Sequence, residues 1–142
     1  MWIYGNSEVH SHEDLHPDCT DIVYILYFES GKRYIGKKTV RSLRRLKPTK
    51  KQLAIRKNYV RREIKNLPFI DYEGSSAETV GEVLKSKIIM HQCSSKRTAT
   101  YMESGWLFEV DAIFNENFLN QNIQGCFFDN ALDGLIEEDE DG

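Results

Sequence analysis

No stretch of this 142-residue chain approaches the roughly 18 consecutive apolar residues that can span a bilayer. Its first residues, with Glu8, Glu13 and Asp14, lack the basic-then-apolar order of a secretory leader. These absences set aside membrane-spanning and exported classes and lead to the expectation of a soluble protein of the cytoplasm. Cysteine is scarce: Cys19, Cys93 and Cys126 are odd in number and scattered, with no CxxC pair among them. Neither a disulfide framework nor a zinc knuckle fits that pattern, and reduced thiols are expected. There are no internal repeats. What remains is a chain of 40% apolar residues, the size of one ordinary domain with a buried core.

Net charge, formally -3, conceals a sharp segregation. Fifteen of the nineteen Lys and Arg lie between Lys32 and Lys65, with Glu63 the single acid among them. The rest of the chain carries four basic and twenty-one acidic residues and closes on Glu137, Glu138, Asp139, Glu140 and Asp141. A basic segment of this density, residues 32–66, is an electrostatic footprint for phosphates, because each phosphate neutralised releases condensed counterions. The acidic run reads as a solvated tail over 131–142.

Residues 1–20 are polar apart from Trp2, Ile3 and Tyr4 and read as an N-terminal arm with an aromatic anchor, leaving 21–130 as the folded domain. Ile22 to Phe28 form a continuous β-branched and aromatic run. Glu29-Ser30-Gly31-Lys32 turns, and Arg33 to Gly36 resume an extended pattern, so a hairpin is expected. Thr49-Lys50-Lys51-Gln52 after Pro48 has the form of a capping box, and Leu53, Val60, Ile64 and Leu67 recur at helical intervals, which predicts a basic helix to about residue 66. Ser75-Ser76-Ala77-Glu78 is a second capping box, opening a short helix expected to turn Val80, Val83 and Leu84 inward. Lys87 to Cys93 reads as a third strand. Ser95 caps a third helix with Ala99, Met102, Trp106, Val110 and Ile113 on one face. The order β-β-α-α-β-α predicts an α/β fold: a small three-stranded, mainly antiparallel sheet flanked by helices.

Two tyrosines stand out, Tyr24 in Val23-Tyr24-Ile25 and Tyr34 in Tyr34-Ile35-Gly36-Lys37-Lys38, on facing strands of one tight hairpin. Together with Trp2-Ile3-Tyr4, the lysine-rich stretch and Tyr72-Glu73-Gly74-Ser75-Ser76, this pattern resembles the GIY-YIG endonucleases, in particular their small phage-encoded members. The resemblance covers all but the acidic tail. The first motif departs from the family in one place, Val23 standing where the leading glycine is usual. What the resemblance implies is a divalent-metal-dependent DNA endonuclease on a GIY-YIG-like α/β fold, acting in the host-cell cytoplasm if phage-encoded, with Mg²⁺ or Mn²⁺ as cofactor.

The family's site residues carry over as follows. Tyr24 or Tyr34 orients and deprotonates the attacking water, the choice between them being left open by the sequence. Counting ten residues on from Tyr34 reaches Arg44, the arginine expected on the first helix to neutralise the phosphate, with Arg41 and Arg45 as rivals. The glutamate that holds the metal matches Glu103. Its spacing to Ala99, Trp106 and Val110 places it within the apolar stripe, where an unpaired carboxylate is costly and a cation is the expected partner. The closing asparagine matches Asn120, with Asn117 and Asn122 as alternatives and Asn115 a turn residue. Because an unperturbed phenol of pKa about 10 is a weak base near neutrality, Lys37 or Lys38 is expected close by to favour phenolate. Arg33, Arg41, Arg45, Lys50, Lys51, Arg56, Lys57, Arg61 and Arg62 are expected to contact the nucleic acid. The family's frequent histidine near the arginine has no counterpart.

His10, His12, His16 and Cys19 are zinc-ligand types, but no second pair follows across a folded loop, so they are read as part of the arm. His91 is read as a packed or edge histidine. The second class of function in view is a catalytically silent protein of the same fold that binds nucleic acid or a host factor, its acidic tail imitating a phosphate backbone. DNA is the implied partner and no membrane contact is expected. A second copy or a partner protein is left to supply any wider sequence recognition.

Overall fold

A computed structural model of the chain describes residues 1–57, 61–74, 76–132, 134 and 136, without the side chains of Arg45, Arg61 and Arg62. In chain order it contains β1 (Trp2–Tyr4), β2 (Ser7–Val9), β3 (Asp21–Phe28), β4 (Arg33–Thr39), β5 (Arg41–Leu46), α1 (Lys50–Ile55), β6 (Arg61–Asn66), β7 (Leu84–Cys93), α2 (Lys96–Glu109), β8 (Asn122–Ile123) and β9 (Phe127–Phe128). The main sheet has five strands in the order β2-β1-β7-β3-β4. All neighbours are antiparallel except β1 and β7. None of the described helices is long and apolar enough to cross a membrane.

The three strands read from the sequence are the β7-β3-β4 half of this sheet, and the expected strand count is corrected from three to five. The two additional strands come from the segment expected to be an arm. Gly5, with φ 62°, supplies the left-handed residue that a two-residue turn needs between Tyr4 and Ser7. The hairpin it forms docks β1 in parallel register beside β7, Ile3 opposite Ile88. Trp2 is wholly buried and its indole donates to the Phe69 carbonyl at 2.9 Å.

The central strand β3 is buried on both faces, which is why its sequence is an unbroken apolar run rather than an alternation. Ile22, Tyr24, Leu26 and Phe28 face one core with Trp2, Val9, Leu15, Val40, Phe69 and Ile89. Val23 and Ile25 face the other with Ile35, Ala99, Leu107, Ala112 and Phe118. Helix α2 covers this second face. Ser95 caps it as expected, accepting from Thr98 N. Ala99 and Leu107 are its buried residues, while Trp106 sits at the margin, its indole donating to His91 Nε2 at 2.8 Å.

The basic segment departs from its expected form. The capping box of Thr49 and Gln52 is present, but the helix ends at Ile55, because Arg56 is extended with φ −151° and ψ 122°. Strands β5 and β6 flank it and pair with each other in a separate two-stranded ladder, Leu43 opposite Ile64 and Arg44 opposite Glu63. A helix continued through residue 66 would stack Lys57, Arg61 and Lys65 at spacings of four, each like-charge pair costing a few tenths of a kcal/mol. The hairpin avoids that stacking and sets an acid against Arg44. Val60, part of the expected helical stripe, lies outside the described residues.

The second capping box is reduced to a single 3₁₀ turn over Ala77–Thr79, with Ser76 accepting from Glu78 N. Ser75 is outside the described residues. Gly81, at φ 85°, breaks the segment, so Val80 and Val83 face solvent rather than the core and Leu84 alone packs inward. The acidic run Glu137 to Asp141 also lies outside the described residues.

Arg41, expected at a phosphate, is a clamp on the chain itself. Its guanidinium donates to the carbonyls of His12 (2.7 Å), His16 (2.7 Å), Pro17 (3.3 Å) and Cys19 (3.0 Å), pinning the loop that follows β2. Arg41→Met is expected to lower the unfolding free energy by about 2–3 kcal/mol, since charge-assisted bonds are lost and carbonyls are left unmatched. Urea denaturation monitored by tryptophan fluorescence measures it, and a midpoint equal to that of the parent protein would contradict the clamp.

Candidate active site

The register of β3 with β4 sets Tyr24 opposite Gly36 and Leu26 opposite Tyr34, so both tyrosines point to the same face of the sheet, offset along the strands. The Tyr24 ring lies across Gly36. A Cβ built on Gly36 would stand 2.5 Å from the Tyr24 hydroxyl oxygen and 2.6 Å from its Cζ. The glycine of Tyr34-Ile35-Gly36 is therefore required by close approach of a side chain, since its backbone is ordinary extended strand.

Beyond Gly36 the Tyr24 hydroxyl donates to that of Tyr72 at 3.4 Å, and the rings meet edge to face at 5.9 Å. Behind it, the edge of Tyr24 meets Trp2 at 5.3 Å. Tyr72 is a third phenol at this place and the sequence reading did not assign it a role. Its loop is held by Lys87, buried in the sheet, whose ammonium donates to the carbonyls of Ile70 (2.5 Å) and Tyr72 (3.1 Å) above the Trp2 ring. Lys38, on the same face of β4 as the phenols, places its ammonium 4.9 Å from the centre of the Tyr72 ring.

Glu103 comes from α2, on the other side of the sheet, at the β4 margin. It is half-buried, its Oε1 accepts from Gln124, and burial raises its pKa, while Gln124 and the charge of Lys37 act in the opposite direction. Lys37 faces α2, where its ammonium donates to Thr100 Oγ1 at 2.5 Å. The Glu103 charge reaches both phenols, raising the pKa of each. Burial is the largest cause in both cases. Tyr24, almost fully buried, is raised far above its ordinary value. Tyr34 is pushed up to about 12, with a hydrogen bond to Ser76 opposing the rise and Glu78 adding to it. The expectation that Lys37 or Lys38 brings a phenol's pKa down is thus corrected: burial raises both phenols, and Lys37 is turned toward α2.

Glu78 is a second carboxylate beside Tyr34 that the sequence reading passed over as a mere capping residue. Its oxygens accept from Gln121 N (2.9 Å) and Asn122 Nδ2 (3.2 Å), and burial raises its pKa. Asn120 completes the margin of β4. Arg33 N donates to Asn117 O and Leu119 N to Arg33 O, so residues 117–119 run beside the strand as one more ladder. One step on, the Asn120 side chain takes over, its Oδ1 accepting from Ile35 N at 3.1 Å and its Nδ2 donating to Ile35 O at 2.8 Å. The carboxamide behaves as a peptide group. Asn117 contributes its backbone to this ladder, Asn122 binds Glu78, and Asn115 caps Val110 and Asn117 as a turn residue.

Arg44 is not on a helix. It lies exposed on β5, away from the main sheet's ladder and opposite Glu63. Lys50, Lys51, Arg56 and Lys57 are exposed on and just after α1, at the tip of the same hairpin. Arg45, Arg61 and Arg62 belong to its strands. Arg33 is exposed on β4 with its guanidinium 5.4 Å from the Tyr27 ring and 5.9 Å from that of Phe118. The histidines of the N-terminal segment go separate ways: His10 meets Glu8, and His12 Nε2 sits 2.9 Å from the carbonyls of both Val40 and Leu67. Cys19 is buried, with its thiol donating to Asp21 O.

Among the described residues no three His, Cys, Asp or Glu side chains form a metal cluster. Glu103 and Glu78 are both half-buried carboxylates, oxygen donors of the kind that suits a hard divalent cation.

Two measurements test this geometry. Gly36→Ala forces the Tyr24 phenol off its seat and is expected to cost about 1–3 kcal/mol of stability, as overpacking does; an unchanged melting curve would contradict the close approach. The raised pKa of Tyr34 contributes stability that is complete below about pH 10 and is lost as pH rises toward about 12. Glu103→Gln removes a charge that opposes ionisation, so the Tyr34 ring-carbon resonance should titrate at lower pH than in the parent protein. A titration that stays in place would separate the carboxylate from the phenol.

A comparison with protein-family models matches residues 2–123 to the family described as "Putative endonuclease segE, GIY-YIG domain". No curated protein and no solved structure matches the chain.

Proposed function

This chain belongs to the GIY-YIG endonuclease family of the segE type, and from that premise we propose that it hydrolyses DNA phosphodiesters with a divalent cation, Mg²⁺ or Mn²⁺, held by Glu103. The observation that carries the proposal is the pair of phenols that β3 and β4 set on one face of the sheet, within the residues that the family model matches; Glu103 adds a lesser contribution, after burial, to the rise in their pKa values. A half-buried carboxylate is unfavourable without a positive partner; Lys37 and the Gln124 hydrogen bond offset part of that cost, and a cation would offset more.

Of the two phenols, Tyr34 is the base in this reading. Tyr24 is closed in by Trp2, Gly36 and Tyr72, whereas Tyr34 is half-buried and its pKa is raised less. Tyr34, as the phenolate formed by giving its own proton to solvent, orients a water and takes its proton as the water oxygen bonds to phosphorus; the bond from phosphorus to the departing sugar oxygen breaks, and that oxygen gains a proton from solvent. A cation held by Glu103 would supply positive charge near the phosphate and favour the phenolate form of Tyr34. Lys37 restrains the anionic Glu103 from the helix side, and Asn120 fixes the backbone of Ile35, the residue next to Tyr34. The hairpin of β5 and β6, with Arg44, Lys50, Lys51, Arg56 and Lys57, grips the DNA backbone without reading bases.

The test is nicking of supercoiled plasmid with Mg²⁺ and with EDTA. Glu103→Ala and Tyr34→Phe are each expected to lower the rate about 100-fold or more while DNA binding at low salt persists. Full cleavage by either variant removes that residue from the chemistry. Metal-independent binding with no cleavage by the parent protein instead favours a silent nucleic-acid binder of the same fold.

A further inference from the structure

Among the described side chains, three candidate arginines are engaged elsewhere or lie away from the phenols. Arg41 is spent on four backbone carbonyls, Arg44 stands exposed on the hairpin opposite Glu63, and Arg33 lies against Tyr27 and Phe118. Along β4 the side chains of Arg33 and Lys37 share the face of Tyr27 and Val23, the side that α2 covers, whereas Lys38 pairs with Ile22 and shares the face of the phenols. On that face β4 presents Tyr34, the open position at Gly36 filled by the Tyr24 hydroxyl, and then Lys38, a row spanning about 13 Å at the rise of an extended strand.

We propose that Lys38, seated on the ring of Tyr72, is the group that meets a non-bridging oxygen of the scissile phosphate, the role expected of an arginine. The seat is built. The ammonium lies 4.9 Å from the centre of the Tyr72 ring, Tyr72 receives the Tyr24 hydroxyl at 3.4 Å, and Lys87 holds the Tyr72 carbonyl at 3.1 Å from inside the sheet. An ammonium resting on an aromatic face is oriented, and among the described residues Lys38 makes no ion pair, so it remains available to an anion. A compact point charge suits one phosphate oxygen, where a guanidinium would take two. The row then places the phosphate between Lys38 at one end and Tyr34 at the other, over the Tyr24 hydroxyl. Tyr72 and Lys87 are positioning residues in this scheme, acting through Lys38.

This assignment rests on the nuclease reading and is tested separately from it. In Mg²⁺-dependent cleavage, Lys38→Met is expected to lower kcat about 100-fold with KM changed less than about threefold, and Lys38→Arg to restore most of the loss. Arg44→Met is expected to act mainly on KM and on the salt dependence of binding. The second readout needs no turnover: the ring resonances of Tyr72 should shift when a short DNA duplex is added in EDTA, and should not in Lys38→Met. A parent protein that cleaves, with Lys38→Met retaining full kcat and the Tyr72 resonances unmoved by DNA, overturns the assignment and leaves the nuclease reading intact. A parent protein that never cleaves, but whose Tyr72 resonances shift with DNA in a Lys38-dependent way, overturns the nuclease reading and keeps the phosphate seat.

Discussion

A side chain lying where another residue has none organises this molecule: the phenol of Tyr24 crosses Gly36 at a distance that admits no Cβ. Because that crossing carries the hydroxyl to the margin of the sheet, Tyr24 can belong to the core at its ring and to the surface cluster at its oxygen. Trp2 closes the ring from behind and Tyr72 receives the oxygen in front. Trp2 in turn lies beneath the ammonium of Lys87, which fixes the loop bearing Tyr72. The first strand, the central strand, the fourth strand and the loop after the hairpin are thus tied to one another at one point, and the phenols inherit their rigidity from the core.

What the sequence made legible follows from the range of the interactions involved. The hairpin of β3 and β4, the seventh strand, and helix α2 with its Ser95 cap depend on local periodicity and on turn or cap residues adjacent in the chain, and each was expected near its actual place. Strands β1 and β2 were not expected, because three residues each are too few to show a period and the parallel pairing with β7 connects residues far apart in sequence. The Gly5-Asn6 turn between short apolar-bearing segments was the signal that could have found them. The basic segment misled because Leu53, Ile64 and their neighbours do recur at helical spacing, yet Ile64 and Leu43 are more than half exposed, so no core rewards that period.

The candidate site divides in the same way. Tyr24 and Tyr34 were legible as a pair because a tight hairpin fixes their relation, and Glu103 because a charged residue within an apolar stripe asks for a partner. Tyr72, Glu78 and Lys87 carry no such local sign; they are brought in by the packing of loops and by long-range pairing. Arg44 was placed by counting along an assumed helix, and where the local structure is a strand the count leads to a different surface. Asn120 shows how little composition can say about task, since its carboxamide is used as a replacement peptide group along the margin of β4.

The hairpin of β5 and β6 leaves the domain through a narrow base. His12 Nε2 lies 2.9 Å from the carbonyls of both Val40 and Leu67, one on each leg, and Leu67 N bonds back to Val40 O at 2.9 Å. That imidazole works as a rivet through the two legs. Whatever lies beyond it can be lengthened, shortened or exchanged for another surface element while its exit direction stays fixed, because loop closure costs little once the base is set. Protrusion and sheet can therefore diversify independently, like interchangeable jaws on one handle.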